Sequence, residues 1–171
     1  MIATTISPLA HEIVTKARAT HERMLARLPF YQRLMDGSAT RDEYASWLVQ
    51  MHKYVRYSVP GYLNLARALA ACDGSESLRE YASWEAEEES GHDELILGDL
   101  ASLWGVSVNE ALGRVERTRG APAVTAWTSQ RDSMMHHHPK GIMGMALTLE
   151  TIASLQADMM RAALTEAGTI E

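Results

Sequence analysis

Several things are scarce in this sequence, and each scarcity excludes something. There is one cysteine, Cys72, in 171 residues, so no internal disulfide can form and a reducing compartment is expected. Positive charge is in deficit: Lys plus Arg is 16 against 22 for Asp plus Glu, a formal charge of −6. A general nucleic-acid binder would show the opposite balance. No apolar run approaches the ~18 residues of a membrane span. The N-terminal stretch MIATTISPLAHEIVTKAR lacks the apolar segment of a secretory signal, so a cytoplasmic location is expected. No stretch sustains a period of two, which argues against strands. There is no phosphate-cradling glycine loop and no Cys-x-x-Cys.

Proline is also scarce. The five residues Pro8, Pro29, Pro60, Pro122 and Pro139 each fall at an expected segment boundary. Ala, Leu, Met, Glu and Arg fill the segments between them, and these are good helix formers. Thr40 with Glu43, Ser77 with Glu80 and Ser107 with Glu110 have the spacing of capping boxes. Gly37, Gly61, Gly74, Gly105 and Gly120 read as stops. Helices are expected near 7–27, 30–36, 41–58, 61–72, 77–103, 107–117, 122–134 and 140–166. Tyr44, Leu48, Met51 and Val55 form one apolar stripe. Leu95, Leu97, Leu100 and Trp104 form another. At 46% hydrophobic and 22% charged residues, the chain is expected to fold as one all-α domain over residues 1–171.

The stretch that could carry chemistry is Trp84-Glu85-Ala86-Glu87-Glu88-Glu89-Ser90-Gly91-His92-Asp93-Glu94-Leu95. Glu85 and His92 are seven residues apart, close to two turns, so on one continuous helix they leave the same face. Their rise of ~10.5 Å suits the two ends of a two-ion site better than a single ion. Glu89 with His92 reads as Glu-x-x-His, a spacing that presents two ligands inward in di-iron bundles. Trp84 and Leu95 suggest that part of the segment is inside. Gly91 costs ~1 kcal/mol within a helix, which would be explained by another helix or a ligand passing close to His92. A run of Glu with one His is also what a solvated face looks like.

Glu150 is the one acid in the long apolar segment from Gly141 to Ala153, flanked by Ile142, Met145, Leu149 and Ile152 at helical spacing. A buried charge there needs a partner or a metal; a wet face or an Arg partner would equally explain it. His136, His137 and His138 read as a loop, and adjacent histidines point in different directions. His21 on the first helix could ligate haem or be structural. His52, Tyr54, Tyr57 and Tyr62 could line a cavity or fill a core.

The residues Pro29-Phe30-Tyr31-Gln32, Leu34, Gly37, Tyr44 and Trp47-Leu48 together resemble the opening of the haem-oxygenase-like helical superfamily. Glu85 and Glu88 to Leu95, then Gly98-Asp99-Leu100 and Leu103-Trp104-Gly105, resemble its di-iron oxidase branch. His138-Pro139-Lys140-Gly141-Ile142-Met143-Gly144 leading to Leu149-Glu150 resembles that branch's next ligand helix. The resemblance runs over residues 20–155. It implies an all-α haem-oxygenase-like bundle with two non-haem irons that activates O₂ to oxidise a small organic substrate, amino-acid-derived or fatty-acid-like. It makes Glu85, His92 and Glu150 iron ligands, with Glu88 or Glu89 an additional one.

The family pattern continues into a helix bearing His-x3-Asp-x2-His. Here no histidine follows His138, and Asp158 is the one Asp after Glu150. The bundle is therefore expected to be short of its last helix or helices. This could reflect a truncated chain, ligands supplied by a partner or second copy, or a site that has been lost. A bundle short of a helix would expose an apolar strip, so a homodimer is expected. A haem-binding protein using His21 is one alternative function. A non-catalytic bundle that binds a partner or small ligand is the other.

Overall fold

The computed structural model describes residues 7–166, and every regular element among them is a helix. In order they are α1 (Pro8–Arg27), α2 (Pro29–Met35), α3 (Arg41–Val55), α4 (Ser58–Leu69), α5 (Glu76–Glu88), α6 (His92–Trp104), α7 (Val108–Arg117), α8 (Pro122–His137) and α9 (Pro139–Glu166). Local chemistry sets most ends. Pro8, Pro29, Pro122 and Pro139 each open a helix, where the missing N–H would be an orphan anyway. Ser7 Oγ accepts from Ala10 N at 3.1 Å, and Ser107 Oγ from Glu110 N at 3.2 Å. Gly37, Gly74 and Gly105 take positive φ at ends or turns, which L side chains resist.

Three residues expected at helix boundaries play different parts. Ser77 is not a cap, because α5 begins one residue earlier with Ser75 before it. Pro60 and Gly61 lie inside the first turns of α4 rather than before it. Proline is tolerated that early because no helical acceptor awaits its N–H. Gly61 is a close approach, not a stop. A Cβ there would sit 2.8 Å from Arg131 Nη1, and that guanidinium donates to the Tyr57 carbonyl at 3.0 Å.

The main departure from the sequence expectation is in the long acidic segment. Residues 77–103 do not form one helix. The chain breaks after Glu88, turns through Glu89, Ser90 and Gly91, and restarts at His92. Gly91 has φ +88°, and no atom lies within 4 Å of where its Cβ would be. The glycine therefore provides a left-handed turn; it does not make room for a neighbour.

The chain divides into two compact units. One comprises Arg41–Ile142, the other the flanking segments Met1–Thr40 and Met143–Glu171. In the Arg41–Ile142 unit, Ala45, Leu48, Val49, Leu97, Leu100, Ala101, Ala111 and Val115 bury one core where α3, α6 and α7 meet. Helix α4 pairs with α5, and Leu65, Leu69 and Ala82 are almost fully buried. In the flanking unit α1 packs on α2. There Tyr31 accepts a 2.8 Å hydrogen bond from Gln156, and Ile13 lies beside Gly144. No single helix among the described residues is long and apolar enough to cross a membrane.

Two glycines of the same segment should respond oppositely to alanine. Gly91→Ala is expected to cost about 1–2 kcal/mol, the penalty of a left-handed L residue. Gly98 is helical, with open space around its Cβ position, and Gly98→Ala should stabilise by about 0.5–1 kcal/mol. Urea unfolding of the two variants beside the wild type measures both.

Candidate metal centre

The last turn of α5 concentrates negative charge where a helix tolerates it least. It carries Glu85, Glu87 and Glu88, Glu89 caps it, and no basic residue stands in the turn. The carbonyl end of a helix is the negative end of its dipole, so these carboxylates oppose both the dipole and one another. Four residues apart, Glu85 and Glu89 share a face. That face is turned in: Glu85 is 6% exposed, and the Glu89 side chain 17%. Glu88 is exposed and shares the outer side of α5 with Trp84.

Trp84 and Leu95 are 51% and 68% exposed. The reading that those apolar neighbours bring the segment inside is therefore corrected. Glu85 lies about 100° around α5 from Trp84, on the packed side with Ala82 and Ala86. The stripe through Leu97, Leu100 and Trp104 packs on the core, whereas Leu95 does not.

His92 stands at the first position of α6, after the Gly91 turn. The two-turn rise from Glu85 along one continuous helix does not apply, because the two residues belong to different helices. The turn instead brings His92 Nδ1 to 3.4 Å from Glu89 Oε2, with the histidine side chain half exposed. The Glu-x-x-His spacing thus survives as a contact across the break. Asp93 and Glu94 occupy the first turn of α6, where carboxylates complement the positive end of the dipole.

In the flanking unit, Glu150 sits mid-way along α9 and is half-buried. Thr148 and Thr151 beside it donate to the carbonyls of Gly144 and Leu147 in their own helix. Ala146 on the same helix is buried, and Leu149 and Ile152 partly so.

The other candidates separate clearly. His21 on α1 is 5% exposed, and its Nε2 has no hydrogen-bond partner. His136 and His137 end α8 and His138 caps it; all three are exposed on helical or capping positions rather than on a free loop. Tyr54 packs edge-on against Trp127, with ring centroids 6.2 Å apart, and Tyr57 is on the surface. Cys72 Sγ bonds only to the Ala68 carbonyl, at 3.7 Å. His52 is 2% exposed. It lies on one buried helical stripe with Ala45 and Val49, whereas the stripe expected from the sequence, Tyr44, Leu48, Met51 and Val55, is fully buried at Leu48 alone.

Searches of protein-family models and of curated proteins match nothing to this chain. Among solved structures, the chain is similar to a domain of unknown function with a haem-oxygenase-like fold from Shewanella denitrificans OS217. The TM-score is 0.66 at 18% identity, over 95% of this chain and 72% of that one. The chain therefore has the haem-oxygenase-like all-α fold that the resemblance implied.

Because the His92–Glu89 contact is half exposed, it should contribute little to stability. His92→Ala is expected to change the unfolding free energy by less than ~1 kcal/mol. Any difference should shrink at high salt, which denaturant titrations at two ionic strengths measure.

Proposed function

We propose that this chain is a non-haem iron protein that activates O₂ to oxidise a small organic substrate. Its iron would be held by Glu85, Glu89 and Glu150. The observation that carries the reading is the buried Glu85 beside Glu89 on the inner face at the negative end of α5. Carboxylates gathered there without a basic residue are stabilised by a cation. Glu85, Glu89 and Glu150 are acidic side chains that could together hold a metal ion.

The donor set fits this group. Oxygen ligands suit hard divalent ions, and a nearby imidazole extends the set toward Fe(II). His92 supplies that imidazole beside Glu89, either as a ligand at the open edge of the site or as a hydrogen-bond partner that orients the carboxylate. The reading takes two irons, as the family resemblance implies. Bound iron supplies the O₂ chemistry. Glu85 and Glu89, fixed by α5, hold the ion on the packed side of the helix, while the half-exposed His92 marks the side open to solvent. Glu88, on the outer side of α5, is left to solvent. The substrate is proposed as amino-acid-derived or fatty-acid-like.

A second reading has its own observation. His21 is buried with an unpartnered Nε2, as a haem ligand would be before haem binds. On α9, however, Glu150 is followed by Thr151-Ile152-Ala153-Ser154-Leu155, with no glycine to let a flat macrocycle lie against the backbone. A Soret band on haem addition that disappears in His21→Ala would favour this reading over iron.

Metal-free protein should be destabilised by its own carboxylates. Glu85→Gln is therefore expected to leave the thermal midpoint of metal-free protein equal or higher. Anaerobic Fe(II) at a hundredfold excess over its Kd should stabilise the wild type by about 2.7 kcal/mol and so raise its midpoint. That rise should vanish in Glu85→Gln and Glu150→Gln. A wild-type midpoint indifferent to Fe(II) would count against the reading.

A further inference from the structure

His52 lies outside the candidate metal centre, and nothing in the proposed function uses it. It is on α3, one turn before that helix ends at Val55. Only 2% of it is exposed, and Nδ1 is buried with no hydrogen-bond partner. Its helix forms one wall of the α3–α6–α7 core. The charged groups acting on the ring come from each wall. Asp93 is on α6, Glu116 is on α7, and Lys53 and Arg56 are on α3 itself or just beyond its end. Arg56 is held by Glu116 in an ion pair at 2.5 Å, which ties the end of α3 to α7. Helix α8 also packs on α3, but its Arg131 is bound to the Tyr57 carbonyl and Asp132.

Burial opposes the charged imidazolium and holds the ring below the usual histidine range. Asp93 and Glu116 favour the proton, Arg56 and Lys53 resist it, and burial has the largest effect of all. The unfolded chain takes up this proton near pH 6.5, whereas the folded chain does so only at lower pH. Between those two values the unfolded state binds more protons, so stability falls as pH falls.

We propose that His52 is an acid-sensitive wedge, whose protonation forces apart the α3, α6 and α7 packing of the Arg41–Ile142 unit at mildly acidic pH. The ring is neutral and packed at pH 7.5. Toward pH 5.5 a proton reaches it either by opening the core or by being accepted as a buried charge, and each route favours the open state. Asp93 moderates the response, because it is the carboxylate on α6 that offsets the new charge. The proposal does not rest on the metal reading, since neither His52 nor Asp93 belongs to the proposed ligand set.

The test is the pH dependence of unfolding between pH 7.5 and 5.5, in the wild type and in His52→Gln and Asp93→Asn. The folding constant of the wild type should fall more steeply than that of His52→Gln, by up to tenfold for each pH unit separating the folded and unfolded titrations. Asp93→Asn should deepen the fall, and the variants should converge on the unfolding constants that their core packing sets above pH 7. Ring-proton NMR of the wild type gives a second measurement that does not depend on any variant folding. His52 should titrate below the ordinary histidine value. Parallel pH profiles for wild type and His52→Gln, or a His52 titration at or above the ordinary value, would overturn the proposal.

Discussion

The candidate site depends on a single backbone turn. Without the left-handed Gly91, α5 and α6 would be one helix, and Glu85 and His92 would stand on one face about 10.5 Å apart along it. With the turn, α5 ends under a load of carboxylates while α6 restarts with His92, Asp93 and Glu94 at its positive end. The break places the imidazole against Glu89 at 3.4 Å and leaves Glu85 turned into the packed side. One conformational constraint thus sorts the acidic run into two populations. Asp93 and Glu94 suit the start of a helix. Glu85 and Glu89 oppose the end of one, and so leave electrostatic energy that a cation can recover.

The sorting also sets the acids of the candidate site apart from the others. Glu110 and Asp93 sit in first turns, and Glu12 and Glu116 pair with Lys16 and Arg56; each has a local reason to be where it is. Glu85, at 6% exposure, stands in the last turn of a helix with no basic residue in that turn, and the proposed metal would balance its charge. The same reasoning sets His52 apart from the surface histidines. His136 and His137 lie in the last turn of α8, where a positive ring would be welcome, whereas His52 has been packed into an apolar core that resists its charge.

Much of the fold was legible in the sequence because local signals were dense. Prolines at first helical positions, the Ser107 cap and the glycines at positions 37, 74 and 105 gave most helix ends within a few residues. The exceptions have physical causes. Gly61 looked like a stop because a tight approach by Arg131 leaves the same mark on a sequence as a turn does. Gly91 looked like a tolerated helix glycine because good helix formers on both sides hide a positive φ. Trp84 and Leu95 suggested burial by composition, yet both are exposed, and helix phase turns Trp84 about 100° away from Glu85. The expectation that part of the segment is inside therefore rested on neighbours that themselves face out. Of the candidate site, the carboxylates could be named as candidates from the sequence; the contact of His92 with Glu89 could not, since it depends on the turn.

The most direct test of the account is where iron binds. Crystals grown anaerobically with Fe(II) and measured on both sides of the iron absorption edge locate the ion without reference to activity. The account predicts an anomalous peak bounded by the Glu85, Glu89 and Glu150 carboxylates, with a second peak on the His92 side if two irons bind. A peak instead at His136, His137 and His138, or none at the carboxylates in protein saturated with Fe(II), would contradict it.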